Sequence, residues 1–162
     1  MVELTPFKVA SFHVKDSLSP EEESWSMLES WAGPKGILDE PEKYLIFGFN
    51  NPIPMGESKM RGYEFWIAIP DDLALDNSIA TKYFGGGFYA VTSCKGASNI
   101  GRSWAKLGEW LQGEGASKFK LGYPDDYDYA NSPDLGMERH LNPGFNDINE
   151  MLIDCYMPIT LK

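Results

Sequence analysis

The sequence predicts an α+β fold in which two pseudo-symmetric β-α-β-β halves form one largely antiparallel sheet with two helices packed on it. Three observations predict this fold class: two amphipathic helical patterns, strand-like runs on both sides of each pattern, and an internal repeat of a segment containing two tryptophans.

The repeat relates two tryptophan pairs. Trp25 and Trp31 recur as Trp104 and Trp110, each 79 positions later (104 − 25 and 110 − 31), and a serine and a leucine recur at the same offset. Tryptophan is rare, and the offset is close to half of the 162 residues, so the pattern indicates two copies of one structural unit.

The repeat also bears on domain organisation. A chain of this length suits one compact domain with a substantial core. We therefore predict a single domain over residues 1–162, with the repeated units at about 6–70 and 84–160.

The first helix has clear signals at both ends. Ser19, Pro20 and Glu22 form a capping box with proline at the first helical position, and Gly33-Pro34 ends the helix. Its apolar stripe contains Trp25, Leu28, Trp31 and Ala32.

The second helix ends at Gly113, and its apolar stripe contains Ile100, Trp104, Leu107, Trp110 and Leu111. Each apolar side is expected to lie against a sheet.

The strand predictions complete the two halves. In the first half the strand-like runs are 7–14, 44–49 and 63–69, and in the second half they are 88–94, 135–141 and 151–159. Each half therefore reads strand, helix, strand, strand.

The charge balance argues against one class of partner and favours another. The formal net charge is −10, and no run of basic residues interrupts it, so direct nucleic-acid binding is not expected. An acidic surface favours cationic molecules through its summed field. The aromatic share is 14%, which suits either a tryptophan-rich core or an aromatic-lined pocket.

The sequence shows no sign of membrane insertion or of a disulfide framework. It has two cysteines, Cys94 and Cys155, no secretory signal pattern and no apolar stretch near 18 residues. We expect a cytoplasmic protein that does not contact a membrane. The histidines, His13 and His140, lack zinc-ligand spacing, and neither a metal site nor a cofactor fingerprint is predicted.

Several motifs resemble the GyrI-like, or AraC-type, effector-binding domains. The similar segments, in order, are 47–52 (FGFNNP), 62–67 (GYEFWI), 84–92 (FGGGFYAVT), 99–110, 137–141 (MERHL) and 156–159 (YMPI). The resemblance covers nearly the whole chain and implies two pseudo-symmetric halves that meet over a shared ligand cleft. It also implies a small-molecule sensor, here a stand-alone member without the helix-turn-helix segment that many members carry.

The resemblance places the family's cleft glutamate at Glu138. A carboxylate beneath aromatic walls attracts a cation strongly because little water competes there. The alternative is a surface glutamate paired with Arg139, which stands where similar sequences tend to have a second acidic residue. The strand pattern adds Tyr63, Glu64 and Trp66, with Glu64 and Trp66 on one face and Tyr63 on the other. This pair is expected either in an aromatic-cation site or exposed on an edge strand.

Further ligand-binding candidates are predicted around these residues. Phe49, Phe88 and Tyr156 are potential aromatic walls or plain core, and Trp104 is a helix tryptophan that packs on the sheet or borders the cleft. Tyr127 lies in an acidic, tyrosine-rich connector over residues 120–133, which is either a lid or a solvated loop.

Three functional hypotheses follow. The first is binding of an aromatic, cationic or amphipathic small molecule without chemistry. The second, which only the resemblance implies, is a hydrolase that opens strained, cyclopropane-type electrophiles, with Glu138 activating water and Tyr63 or Tyr156 assisting the leaving oxygen. The third is an interaction module for a separately encoded transcription regulator.

Overall fold

The computed structural model describes residues 1–53, 59–125, 133 and 136–162. Within these residues there are nine strands and two α-helices. In chain order they are β1 (Val2–Leu4), β2 (Phe7–Ser17), α1 (Pro20–Ala32), β3 (Ile46–Asn50), β4 (Arg61–Ile69), β5 (Ala80–Phe84), β6 (Gly87–Lys95), α2 (Ile100–Gln112), β7 (Phe119–Leu121), β8 (Met137–His140) and β9 (Leu152–Leu161).

The strands form one antiparallel sheet in the order β1-β6-β9-β8-β3-β4-β2-β5, and β7 pairs additionally with β9. The two halves are built alike: β4 lies between β2 and β3 in the first, and β9 lies between β6 and β8 in the second. The predicted fold class is confirmed. Three strands, β1, β5 and β7, are additional to the predicted set.

A short pairing joins the two halves. Strands β3 and β8 share three register partners, Ile46 with His140, Phe47 with Arg139 and Gly48 with Glu138. We call this β3–β8 pairing the seam. It matters for function because the predicted cleft glutamate lies in it.

Both helices lie on the same face of the sheet, called here the helix face. Helix α1 packs on β2 and β4, and α2 packs on β6 and β9. Leu28 and Trp31 are buried beneath α1, and Leu107 is buried beneath α2. Among the described residues, neither helix has the length and apolar content needed to span a lipid bilayer.

The start of α1 differs from the predicted capping box. The Ser19 side chain makes no capping hydrogen bond. The Ser19 backbone N–H instead donates to the hydroxyl oxygen of Ser17 at 3.0 Å, and that hydroxyl donates to Glu23. Because β2 continues to Ser17, the strand end itself supplies the polar group that orders the helix entry.

The opposite face of the sheet carries a second core. Its members include Val9, Phe47, Trp66, Phe84, Tyr89 and Tyr156. Successive side chains of a strand point to opposite faces of the sheet, and both faces carry a buried core. The high aromatic content is therefore explained largely by two cores and does not require every aromatic ring to lie at a binding site.

Candidate ligand-binding cavity

A cavity of about 390 Å³ opens at the seam. Its walls come from β3, β4, β7, β8, β9 and α2, together with the segments that follow β3 and precede β8. The lining residues are Gly48, Phe49, Asn50, Ile53, Tyr63, Trp104, Leu121, Gly136, Met137, Glu138 and Met157. Both halves of the sheet therefore contribute to one site.

Gly48 creates the space in which Tyr63 reaches the seam. A methyl group at position 48 would lie 2.6 Å from the Tyr63 hydroxyl oxygen and 2.7 Å from Cε1 of Phe65. Because the glycine has no side chain, the Tyr63 ring lies across β3 towards the neighbouring strand. The Tyr63 hydroxyl then donates a hydrogen bond of 3.3 Å to Oε2 of Glu138.

Gly136 plays a similar part for Trp104. Its φ of 126° favours glycine, and a methyl group there would lie 2.5 Å from the Tyr156 carbonyl oxygen and 2.9 Å from the Trp104 indole. The indole therefore packs directly over the backbone that leads into β8. Its Nε1 donates a hydrogen bond of 2.9 Å to Oε1 of Glu138.

The carboxylate of Glu138 thus has one donor on each oxygen, from the two halves of the chain. Burial raises the pKa of Glu138 above its ordinary value, the hydrogen bonds from Trp104 and Tyr63 oppose that rise, and the charge of Glu21 adds to it. In the described part of the chain, no lysine or arginine forms an ion pair with Glu138. When Glu138 is ionised, its negative charge is therefore not neutralised by any described side chain.

Two further groups respond to this charge. Burial, followed by the charge of Glu138, raises the pKa of Tyr63 well above its usual range. Cys155 is the register partner of Glu138 on β9 and is fully buried. Burial and then the charge of Glu138 raise the pKa of the Cys155 thiol to about 12. Both the Tyr63 hydroxyl and the Cys155 thiol are therefore uncharged at neutral pH.

Four of the predicted ligand-binding residues lie together in this cavity: Glu138, Tyr63, Phe49 and Trp104. Phe88 lies on β6, is 49% exposed and pairs with Glu3 of β1. Tyr156 is buried in the core of the opposite face, against Phe47 and Tyr89. Tyr127 lies outside the described residues.

Glu64 and Trp66 lie on the opposite face of β4 from Tyr63 and are fully buried. Glu64 Oε1 accepts hydrogen bonds from Trp66 Nε1 and Ser11 Oγ, both at 2.6 Å, and lies 2.7 Å from Lys82 Nζ. Burial alone would raise the pKa of Glu64, but hydrogen bonds from Lys82, Ser11 and Trp66 together with the charge of Lys82 outweigh it, so the pKa is lowered. Lys82 Nζ also lies 5.9 Å from the centroid of the Trp66 ring, so a cation of the protein itself occupies the position beside this carboxylate and indole.

The sequence analysis did not predict the residues that shape the cavity but have no functional group in the side chain. Gly48 and Gly136 are the clearest cases, and a glycine inside a strand pattern is the signal that could have found the first. Lys82, the charge partner of Glu64, lies on β5, a strand absent from the predicted set.

The sequence matches no protein-family model and no curated protein. Among solved structures, the EcmrR chain of an EcmrR–DNA complex matches with a TM-score of 0.64 and 16% identity, over 98% of this chain and 55% of that chain. This chain therefore spans about half the length of EcmrR. A hydrolase from Listeria innocua matches with a TM-score of 0.62 and 11% identity, over 98% and 90% of the two chains.

SAV2435 bound to tetraphenylphosphonium matches with a TM-score of 0.50 and 9% identity, over 98% of this chain and 92% of that one. The EcmrR C-terminal domain matches with a TM-score of 0.58 and 16% identity, over 98% and 94%. At these identities the matches show a shared fold. That fold fits the resemblance to GyrI-like effector-binding domains.

Proposed function

We propose that this chain is a GyrI-like effector-binding domain that binds an aromatic, cationic small molecule in the cavity at the seam. The observation that carries the proposal is the partly buried Glu138 carboxylate, which has two neutral hydrogen-bond donors and no cationic partner among the described residues. An ionised carboxylate that is partly buried gains most from a ligand that brings the missing positive charge.

The dimensions and lining of the cavity support a ligand of this kind. A volume of about 390 Å³ lies within the range typical of pockets for drug-sized molecules. The Tyr63 and Trp104 rings lie beside the carboxylate and can stack on the aromatic groups of a cation whose charge is delocalised over those groups. SAV2435, which has the same fold, is bound to tetraphenylphosphonium, a cation of this class.

Calorimetric titration with tetraphenylphosphonium tests the proposal. Tetraphenylborate, which has nearly the same shape and the opposite charge, serves as the ligand control. We expect the wild-type protein to bind the cation and not the anion. Glu138→Gln keeps the shape of the side chain and removes its charge, and we expect it to raise Kd about ten- to hundredfold, from a charge interaction of roughly 1–3 kcal/mol.

A matched variant distinguishes the effect of the Glu138 charge on Kd from the effect of the net negative charge of the whole protein. Glu114→Gln also removes one negative charge, but from an exposed residue beyond the end of α2. It should change Kd little, because exposed charges at a distance are screened by salt. Equal effects of Glu138→Gln and Glu114→Gln would refute a specific role for the Glu138 carboxylate.

The Tyr63–Glu138 contact favours a second candidate function, hydrolysis of strained, cyclopropane-type electrophiles. A carboxylate with a raised pKa is suited to accept a proton from water as the water oxygen bonds to a ring carbon and the strained C–C bond breaks. The tyrosine hydroxyl beside it would donate a hydrogen bond to the substrate oxygen that takes up the released electron pair. Of the two predicted assisting tyrosines, only Tyr63 contacts Glu138 in the described part of the chain. Turnover of a cyclopropane-bearing substrate above the buffer rate, lost in Glu138→Ala, is the required result; turnover that persists in this variant excludes the mechanism.

A further inference from the structure

A buried charged cluster lies on the face of β4 opposite to the cavity residue Tyr63. Its centre is Glu64, which is 0% exposed. Ser11, Trp66 and Lys82 contact Oε1, as described above. Oε2 accepts a hydrogen bond of 2.7 Å from Asn51 Nδ2. A buried carboxylate with this many donors forms strong, directional hydrogen bonds, because the surroundings contain little competing water.

Asn51 is the member of this cluster that belongs to a connecting segment and not to a strand. Three bonds hold it: its side chain donates to Glu64, its backbone N–H donates to the Gly62 carbonyl at 3.1 Å, and its carbonyl oxygen accepts from His13 Nε2 at 2.7 Å. The backbone of Asn51 lies so close to β4 that a methyl group at Gly62 would be 2.0 Å from the Asn51 carbonyl oxygen.

The segment that Asn51 anchors is also a wall of the cavity. Asn50 precedes Asn51 directly and Ile53 follows two residues later, and both line the cavity. Strand β3 ends at Asn50, so beyond that residue sheet pairing no longer fixes the chain. Asn50 is paired with Tyr63 of β4, so it is the position of Ile53 that depends on how Asn51 is held.

We infer that Glu64 is a positioning residue for the cavity: by binding the Asn51 side chain on the reverse face of the sheet, it fixes the part of the wall that lies beyond β3, at Ile53. This inference rests on the proposed function, since it assigns Glu64 a role in ligand affinity without contact with the ligand. Lys82 offsets the negative charge of Glu64 at 2.7 Å, so the anchor is available in its ionised, acceptor-only form at neutral pH.

Two substitutions that each remove one hydrogen bond to Glu64 provide a matched test. Asn51→Ala removes the 2.7 Å bond to Oε2 and leaves the wall segment held only by the two backbone bonds of Asn51. Ser11→Ala removes the 2.6 Å bond to Oε1 from within β2 and leaves all three bonds of Asn51 in place. For each variant, three quantities are measured: the thermal midpoint, Kd for tetraphenylphosphonium, and amide hydrogen exchange in a peptide covering residues 46–53.

We expect both variants to have similarly lowered thermal midpoints. Only Asn51→Ala should show faster exchange in residues 46–53 and a Kd raised about fivefold, because the binding-competent wall is then a smaller fraction of the population. Equal loss of affinity in both variants, or unchanged exchange and Kd in Asn51→Ala, would overturn the inference. If the wild-type protein does not bind tetraphenylphosphonium, the proposed function fails, and the exchange comparison alone decides whether Glu64 positions the wall.

Discussion

His140 should make the stability of the protein depend on pH in a defined window. The ring is 8% exposed, is stacked on Trp25 at a centroid distance of 5.7 Å and meets Phe65 at 5.2 Å. Neither ring nitrogen has a hydrogen-bond partner among the described residues. Burial lowers the pKa of His140 from 6.5 to about 4.

The sign and size of the effect follow from these values. Between pH 6.5 and about 4 the unfolded chain binds a proton at His140 and the folded protein does not, so stability falls as the pH falls through this window. Relative to pH 8, this histidine should lower the free energy of unfolding by about 2 kcal/mol at pH 5 and about 3 kcal/mol at pH 4.

Urea denaturation of the wild-type protein and His140→Phe between pH 8 and pH 4 measures the effect. Phenylalanine keeps a flat ring between Trp25 and Phe65 and cannot bind a proton, so the stability of the variant relative to wild type should rise by about 3 kcal/mol as the pH falls to 4. His13→Gln, at the other histidine, should leave the contribution of His140 in place. A difference between His140→Phe and wild type that stays constant with pH would refute the reasoning.

Two further substitutions test how the cavity is built. Gly48→Ala should destabilise the protein by about 1–3 kcal/mol in urea denaturation, because its methyl group would meet the Tyr63 ring, whereas Gly108→Ala on α2, which meets nothing within 4 Å, should stabilise it by about 0.5–1 kcal/mol. Equal effects would contradict the steric argument. Trp104→Phe removes a donor that lowers the pKa of Glu138, so the pH midpoint of tetraphenylphosphonium binding should move upwards. An unchanged midpoint would show that this hydrogen bond does not tune the carboxylate.

Sequence patterns predicted the regular elements because hydrophobic periodicity and helix-stop signals are local. Both helices and the six longer or central strands fall close to their predicted bounds. Strands β1 and β7 have three residues each, too few for alternation to be recognised. Strand β5 is largely exposed along its length, so its sequence lacks the apolar alternation that marks a half-buried strand.

The environment of the site was harder to predict for a different reason. Alternation correctly separated Tyr63 from Glu64 and Trp66, but a period of two does not say which face of a strand borders a cavity. Placing Glu64 required knowing that Lys82 lies beside it, and the register of β5 on β2 determines that contact. Long-range register of this kind is not encoded in any single local pattern.

The seam has a consequence for cooperativity between the two halves. The seam has three register pairs, whereas β2 and β4 share eight and β6 and β9 share seven. Of these three pairings, the seam therefore loses the fewest hydrogen bonds when it opens. Tyr63 belongs to one half and Trp104 to the other, and the cavity lies between them. A ligand that contacts both rings would therefore act as a non-covalent cross-link, and its occupancy would set how strongly the two halves unfold as one unit.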